Sequence, residues 1–301
     1  MKRILVIRLG ALGDIVQSFA PFAAIRAHHP GAAITLLTSA PFAGLARLCP
    51  WFDHVEIDAR PSWWNLSGLH RLRRQLRGYD FVYDLQTSGR SSRYFRLAGR
   101  PPWSGIAPGC SHPQSDPARE VMHTRERQAD QLRLAGIAAV PPPDLSFLTS
   151  RPVPDLPRPY ALLVPGAAPH RPEKRWPAER FGALAAILLA RGQTPVVVGA
   201  AADTPVAAAI QAACPAAIDL TGRTAIPDLF ALAAGAALAV GNDTGPMHIA
   251  AAAGCRCVVL FSAASDPGLT APRGPDGGWP VVLRAAVLAD LSIDRVADAL
   301  P

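Results

Sequence analysis

A carboxylate follows two glycines near the start of the chain, in the run Leu-Gly-Ala-Leu-Gly-Asp at residues 9–14. Glycines let a backbone approach a ligand closely, and a carboxylate at the start of a helix can face that ligand. The run lacks the Lys-Ser/Thr of a P-loop and the G-x-G-x-x-G of dinucleotide-binding proteins, which argues against a kinase or an oxidoreductase. On spacing alone, helix capping is the simpler role for Asp14.

A second polar run, Gly-Asn-Asp-Thr-Gly-Pro-Met-His at residues 241–248, follows an apolar stretch. It predicts a strand, a turn and a helix that Thr244 or Gly245 caps, with Pro246 in the first turn, where proline is tolerated. The unpaired N–H groups of such a helix start suit a diphosphate, and Thr244 and His248 would add donors. An ordinary capped helix with a partly buried His248 is the alternative, but so many polar groups favour a ligand site.

A third run, Lys-Arg-Trp-Pro at residues 174–177, ends a loop that begins with Pro-Gly at 165 and 166. Lys174 is one of only two lysines in the chain. In such a loop a lysine can act as a point charge on phosphate oxygens, although a solvated surface lysine is the plainer interpretation.

Apolar stretches of strand length alternate with helical stretches through both halves of the chain, which predicts parallel βαβ units. Seven prolines between residues 140 and 160 interrupt this alternation. We therefore expect two doubly wound α/β domains, residues 1–150 and 151–301. Ligands of such sheets bind beyond the carboxyl ends of the strands at a topological switch point, and the cleft between the domains is the expected site. The predicted strands are 3–8, 33–38, 55–57, 81–84, 160–164, 194–198, 218–220, 238–240 and 257–261, and the predicted helices include 15–26, 70–76, 178–191 and 206–213.

The composition is half apolar, as in a soluble globular protein. No apolar run reaches the roughly 20 residues of a membrane span, and the N-terminal run is too short for a signal peptide, so we expect a cytoplasmic protein. The five cysteines form no C-x-x-C pair, which argues against a zinc site or a disulfide framework.

The positive charge of the chain lies entirely in its first half. Residues 1–150 carry 18 Lys and Arg against 11 Asp and Glu, whereas residues 151–301 carry 12 of each. Arginines are densest between Arg60 and Arg100, which favours an anionic partner or surface; a solvated helix face is the alternative.

Together the three polar runs, with Asp-Leu-Gln at 84–86 and Leu-Thr-Gly at 220–222, resemble the heptosyltransferase family, the ADP-heptose:lipopolysaccharide transferases of Gram-negative bacteria (glycosyltransferase family 9). The resemblance implies a GT-B fold of two Rossmann-like domains, with the acceptor bound by the N-terminal domain and the nucleotide-sugar donor by the C-terminal one. It also implies an anionic glycolipid acceptor of the lipopolysaccharide inner core and peripheral contact with the cytoplasmic face of the inner membrane.

The resemblance further assigns roles to individual residues. Asp14 would be the general base of a single inverting displacement. Lys174 would stabilise the departing diphosphate, so that neither a metal nor a cofactor is expected. The loop at 166–174 is longer than is usual in the family, and Asp203 is only a candidate ribose ligand. The remaining implied donor residues are Gly13, Thr221, Asp243, Thr244, Gly245, Pro246 and His248, and the implied acceptor residues are Arg60, Arg90 and Arg93.

Two other functions stay open at this stage. A non-hydrolysing sugar-nucleotide epimerase of GT-B fold would bind a diphosphate in the same way but needs further acid and base groups near the sugar. A non-catalytic module that binds sugar nucleotides would need no base at all. Nucleic-acid binding is not expected, because the arginine-rich region lacks interleaved stacking aromatics and any known motif.

Overall fold

The computed structural model describes all residues from Met1 to Pro301. The chain forms two compact units, Met1–Pro143 and Asp144–Pro301, and the break between them falls inside the proline-rich segment. None of the helices has the length and apolar character needed to cross a bilayer.

The N-terminal unit is a six-stranded parallel sheet with helices between its strands. Its strands are β1 (Arg3–Ile7), β2 (Ala33–Thr38), β3 (His54–Ile57), β4 (Phe81–Asp84), β5 (Trp103–Gly105) and β6 (His112–Pro113). Its helices are α1 (Leu12–Gln17), α2 (Phe19–His28), α3 (Ala40–Leu48), α4 (Leu66–Leu76), α5 (Gly89–Ala98) and α6 (Thr124–Leu134).

The strand order β3-β2-β1-β4-β5-β6 reverses direction between β1 and β4. This order is that of a dinucleotide-binding doubly wound sheet, whose ligand crevice lies at the reversal. Ile7 pairs with Asp84, so the carboxyl ends of β1 and β4 lie side by side. The loops that follow these two strands are therefore the ones that can shape a site in this unit.

The C-terminal unit repeats the plan. Its strands are β7 (Tyr160–Val164), β8 (Thr194–Val197), β9 (Ile218–Asp219), β10 (Leu238–Asn242), β11 (Cys257–Phe261) and β12 (Val281–Arg284). Its helices are α7 (Ser146–Thr149), α8 (Ala178–Ala190), α9 (Thr204–Ala213), α10 (Asp228–Ala234), α11 (Gly245–Ala252), α12 (Pro267–Thr270) and α13 (Ile293–Asp298).

The order β12-β11-β10-β7-β8-β9 again reverses between the first and fourth strands of the unit. Gly241 pairs with Val164, and a Cβ atom on Gly241 would lie 2.5 Å from the Val164 Cβ. Glycine is therefore required at this point of contact between β7 and β10. The expected α/β class and the two doubly wound sheets are confirmed.

Two predicted helices have other bounds than expected, and several elements were not predicted. The helix expected over residues 15–26 is two helices, because the chain turns at Ser18 between α1 and α2. The basic helix begins at Leu66 rather than His70, since the Asn65 side chain accepts a hydrogen bond from the Gly68 N–H and caps it. The strands β5 and β6 had no predicted counterpart because they carry too few residues for a periodic pattern, and the ten-residue helix α5 was not predicted either.

Candidate functional site

The loop after β1 is held in one shape by Gly10 and Asp14. Gly10 has φ +120°, and a Cβ there would come within 2.4 Å of the Phe42 ring. Asp14 is the third residue of α1, and its Oδ2 accepts the N–H of Ala11, the residue before the helix, at 2.8 Å. Asp14 thus caps the helix from its third position and is not the N-cap residue.

The second oxygen of Asp14 pairs with a buried arginine. Arg8 Nη2 lies 3.0 Å from Asp14 Oδ1, and the side chains are 6% and 40% exposed respectively. Arg8 also donates through Nη1 to the Leu85 carbonyl oxygen at 2.6 Å. Burial lowers the pKa of Arg8, and the negative charge of Asp14 opposes that shift. The result is a partly exposed carboxylate with a fixed cation behind it.

The end of β4 supplies a second carboxyl and an amide. Asp84 is fully buried; its Oδ1 accepts the N–H groups of Gln86 and Thr87, while its Oδ2 has no partner. Burial raises the pKa of Asp84 to about 7, and the nearby Ser91 hydroxyl, these two N–H groups and the charge of Arg8 oppose that shift. Gln86 Oε1 accepts the Leu9 N–H at 2.7 Å, which ties the β4 loop to the β1 loop.

The three predicted acceptor arginines lie around the segment that follows β3. Arg60 Nη2 donates to the Leu9 carbonyl oxygen at 3.1 Å, next to the glycine loop. Arg90 Nη2 donates to the Pro61 carbonyl oxygen at 2.8 Å. The guanidinium groups of Arg90 and Arg93 lie 5.3 and 5.1 Å from the centre of the Trp63 ring. The structure therefore groups these arginines in one region of the N-terminal unit.

In the C-terminal unit, Asn242 joins the two strands at the switch point. It is fully buried at the end of β10, where its Oδ1 accepts the Trp176 N–H at 3.0 Å and its Nδ2 donates to the Pro165 carbonyl oxygen at 2.7 Å. Both ends of the loop after β7 are thus fixed to β10, which positions the residues between them.

Lys174 lies in that loop and is oriented by Asp243. The Lys174 Nζ is 2.6 Å from Asp243 Oδ2, and the side chains are 17% and 7% exposed. Ser265 Oγ donates to the same carboxylate oxygen at 2.7 Å. The buried Asp243 carboxylate therefore holds a more accessible ammonium group at the start of α11, the positive end of the helix dipole. In this first turn Pro246 has no N–H, and the Met247 N–H donates to the Thr244 carbonyl oxygen at 3.0 Å.

The start of α11 follows the predicted pattern except in its cap. Thr244 occupies the N-cap position in extended conformation, but its side chain makes no capping hydrogen bond. Gly245 is the first helical residue and Pro246 lies in the first turn. His248 is 7% exposed within α11. The Thr244 hydroxyl is therefore not committed to the helix end.

Two further predicted donor residues lie elsewhere. The Thr221 hydroxyl donates to Asp219 Oδ1 at 2.7 Å, in the segment after β9. Gly13 is a buried residue of α1 and belongs to the N-terminal unit, unlike the other predicted donor residues. The Asp203 carboxylate accepts the Ala200 N–H and packs against two glycines, 166 and 199, so it serves local structure.

Sequence reasoning missed three residues that the structure associates with the site. Arg8 pairs with Asp14, Ser265 hydrogen-bonds Asp243, and Arg127 of α6 interacts electrostatically with Asp14 and Arg8. An arginine at the end of an otherwise apolar strand was a usable signal for Arg8, whereas Ser265 and Arg127 carry none. No group of three or more His, Cys, Asp or Glu side chains that could hold a metal ion is present.

Two Rossmann-like units with polar residues at their switch points place the chain in the GT-B fold class. A family model, glycosyltransferase family 9 (heptosyltransferase), matches residues 112–278, more than half of the chain. The chain belongs to this family.

Comparison with individual proteins gives the same result. The chain is 35% identical over 120 residues to lipooligosaccharide heptosyltransferase 2 of Haemophilus influenzae, a match that covers 38% of this chain and 34% of the relative. It is 30% identical over 115 residues to a putative glycosyltransferase of the same organism, covering 35% and 33%. The matched region thus spans about a third of each curated relative.

Solved structures share the fold along the whole chain. Escherichia coli ADP-heptose lps heptosyltransferase II aligns with a TM-score of 0.74 at 24% identity, covering 99% of this chain and 97% of that one. E. coli heptosyltransferase WaaC with ADP-2-deoxy-2-fluoro heptose aligns with a TM-score of 0.78 at 20% identity, covering 98% of both.

Proposed function

We propose that the protein transfers a heptose from ADP-heptose to a hydroxyl group of the lipopolysaccharide inner core or a similar anionic glycolipid. Membership of family 9 supports the reaction class, and the ADP-sugar that accompanies one structural relative supports the donor. The observation that carries the proposal is the Lys174 ammonium that Asp243 holds at the start of α11.

The proposed donor site is the switch point of the C-terminal unit. Lys174 and the positive end of the α11 helix dipole supply positive charge to the diphosphate without a metal ion. Thr244, Gly245, Pro246 and His248 line the helix start, and Thr221 lies after β9. When the bond from the anomeric carbon to the diphosphate breaks, the electron pair leaves with ADP, and the Lys174 charge stabilises it.

The proposed base is Asp14. Its carboxylate takes the proton of the acceptor hydroxyl as that oxygen attacks the anomeric carbon, so the configuration at this carbon inverts. A carboxylate has about four lone-pair sites, and Arg8 and the Ala11 N–H occupy two of them. The 40% exposure of the Asp14 side chain leaves room for a substrate hydroxyl.

The proposed acceptor region is the arginine group formed by Arg60, Arg90 and Arg93. Guanidinium groups recognise phosphates and carboxylates, which suits a phosphorylated, carboxylated core saccharide. Because such an acceptor is linked to lipid, we place the reaction at the cytoplasmic face of the inner membrane, with the protein in peripheral contact.

The direct test is a transfer assay on the purified chain, with ADP-heptose and a delipidated core oligosaccharide, followed by mass spectrometry of the product. We expect a mass increase of one heptose and release of ADP. Incubation with ADP-heptose alone serves as the second arm. Conversion of the sugar nucleotide to an epimer without acceptor would contradict transfer and support an epimerase, and donor binding without any product would support a binding module.

A further inference from the structure

The arginines from Arg60 to Arg100 have no acidic partners. Nine arginines occur in this segment against two acidic residues, Asp80 and Asp84, and none of the nine forms an ion pair. Asp84 is buried, and Asp80 accepts a hydrogen bond from the backbone N–H of Arg3. Two carboxylates from outside the segment lie close by: Glu56 accepts a hydrogen bond from the Gln75 side chain of α4, and Asp58 accepts the Arg60 N–H. Neither forms an ion pair with a guanidinium group, so this surface keeps an excess of positive charge for an external anion.

Two large apolar side chains beside these arginines are mostly exposed to solvent. Trp64 is 84% exposed and Leu66 is 79% exposed. Leu66, His70 and Arg74 follow one another at intervals of four residues along α4, so they share one face of the helix. The opposite face packs inward through Leu72 and Leu76, which are buried. Helix α4 thus presents a basic face that begins with an apolar residue.

The segment that carries Trp64 is fixed to the unit on both sides. Pro61 is buried beneath Gly68, where a Cβ would lie 2.7 Å from the Pro61 Cβ, and Arg90 binds the Pro61 carbonyl oxygen. Trp63 contacts two guanidinium groups, and Asn65 caps α4. Trp64 therefore projects from an ordered segment, residues 61–66, which we call the platform. Little conformational entropy would be lost when a partner buries Trp64.

This surface continues to the loop that carries the proposed base. Arg60, which precedes the platform, donates a hydrogen bond to the Leu9 carbonyl oxygen, one residue before Gly10. A partner that covers the platform would therefore lie close to the region where the acceptor is proposed to bind.

We propose that Trp64, Leu66 and the basic face of α4 dock the protein on an anionic phospholipid bilayer. This inference rests on the proposed function for its purpose, the presentation of a lipid-linked acceptor. The arginines bind lipid phosphates, and Trp64 and Leu66 enter the boundary between headgroups and acyl chains, as the apolar residues of interfacial helices do. A soluble anion would use the arginines but would leave the adjacent tryptophan and leucine in water.

The test is co-sedimentation of the full chain with vesicles of phosphatidylcholine alone or mixed with phosphatidylglycerol, at low salt and without donor or acceptor. We expect binding only to the mixed vesicles. The double variant Trp64→Ser/Leu66→Ser should lower the partition coefficient by about tenfold or more. Arg73→Gln and Arg74→Gln should each lower it about fivefold. All four positions are exposed, so the variants are expected to fold.

Matched controls lie in the C-terminal unit. Trp279→Ser removes a half-exposed tryptophan, and Arg256→Gln/Arg284→Gln removes two exposed charges. These variants should bind vesicles as the wild type does. Equal binding of the wild type to both kinds of vesicle, or the same loss in the controls, would overturn the proposal. The proposal would also fail if the wild type does not bind vesicles but forms a dimer that the Trp64→Ser/Leu66→Ser variant converts to a monomer.

Transfer assays separate this inference from the proposed function. Trp64→Ser/Leu66→Ser should retain the turnover of the wild type with a delipidated acceptor but lose it with the acceptor embedded in vesicles. If no acceptor is glycosylated while vesicle binding responds as expected, the docking surface stands and the proposed function fails. If transfer occurs but the variants bind vesicles normally, the docking surface fails alone.

Discussion

Each unit places an ion pair near the switch point of its own sheet, but the two units expose opposite members of the pair. In the N-terminal unit the cation Arg8 is 6% exposed and the carboxylate Asp14 is 40% exposed. In the C-terminal unit the carboxylate Asp243 is 7% exposed and the cation Lys174 is 17% exposed. One switch point therefore presents a negative group to a ligand, and the other presents a positive group.

This difference shows how one fold can serve two chemical roles. The fold supplies the position of the site, and the charge of the buried partner determines the charge of the side chain that is exposed there. A buried cation lies behind Asp14, which is proposed to accept a proton, whereas a buried anion lies behind Lys174, which is proposed to contact a phosphate. The same reversal separates the proposed roles of acceptor activation and leaving-group stabilisation.

A second contrast concerns the residue that ends the fourth strand of each unit. Asn242 is fully buried, and both atoms of its amide are hydrogen-bonded. Asp84 occupies the corresponding position at the end of β4 and is equally buried, yet one of its oxygens has no partner. The C-terminal switch point is thus satisfied by a neutral group, and the N-terminal one retains a titratable group.

The largest expected effect comes from removing the presented negative charge. Asp14→Asn keeps the size of the side chain but cannot accept a proton, so kcat should fall by about 10²–10⁴-fold. Calorimetric binding of ADP should be unchanged, because the donor is assigned to the other unit. Asp116→Asn, at an exposed aspartate of the same unit, is the matched control. Near wild-type turnover of Asp14→Asn would refute the role of Asp14 as base.

The next effect comes from removing the presented positive charge. Lys174→Ala should lower kcat about 10²-fold, because the diphosphate departs without its counter-charge. Asp243→Asn leaves the ammonium in place but weakens its orientation, so a smaller loss, roughly tenfold, is expected. Steady-state kinetics with ADP-heptose measure both. Lys2→Ala, at the only other lysine, should have no effect, and a loss of equal size there would remove the case for Lys174.

The comparison also explains what could be predicted from the sequence. The alternation of strands and helices predicted both doubly wound sheets, and the polar runs after β1, β7 and β10 indicated Asp14, Lys174 and Asp243 respectively. These signals are local, since each depends on neighbouring residues with a fixed period or spacing.

The pairing of these residues could not be predicted in the same way. Lys174 and Asp243 are distant in the chain and meet only because β7 and β10 are neighbours in the sheet. The strand order decides this contact, and the order is not encoded in any single segment. The role of Asp14 at the third helical position was missed for a smaller reason, since the start of α1 at Leu12 lies three residues earlier than the pattern suggested.

A stability measurement can test the satisfied switch point. In Asn242→Asp a carboxylate oxygen replaces the Nδ2 group that donates to the Pro165 carbonyl oxygen. A buried negative charge would then face that carbonyl oxygen. The free energy of unfolding at neutral pH should fall by about 3 kcal/mol or more. Urea denaturation measures it. Asn65→Asp, at the exposed cap of α4, is the control, because aspartate caps helices as well as asparagine does.

The reciprocal change, Asp84→Asn, should have the smallest effect and should depend on pH. The pKa of Asp84 is raised to about 7 in the folded state, above its ordinary value. The folded protein therefore binds more protons than the unfolded chain between about pH 4 and pH 7, and the contribution of Asp84 to stability falls as pH rises through this window.

Asp84→Asn removes this titration, so it should improve stability relative to the wild type on going from pH 5 to pH 8. The relative change should be on the order of 2 kcal/mol. Because the difference is taken between two pH values, any pH-independent change in the free energy of unfolding that the amide at position 84 causes cancels. Urea denaturation of both proteins at each pH gives the difference. If that difference is the same at both pH values, Asp84 does not titrate in this window, and the two switch points differ less than their side chains imply.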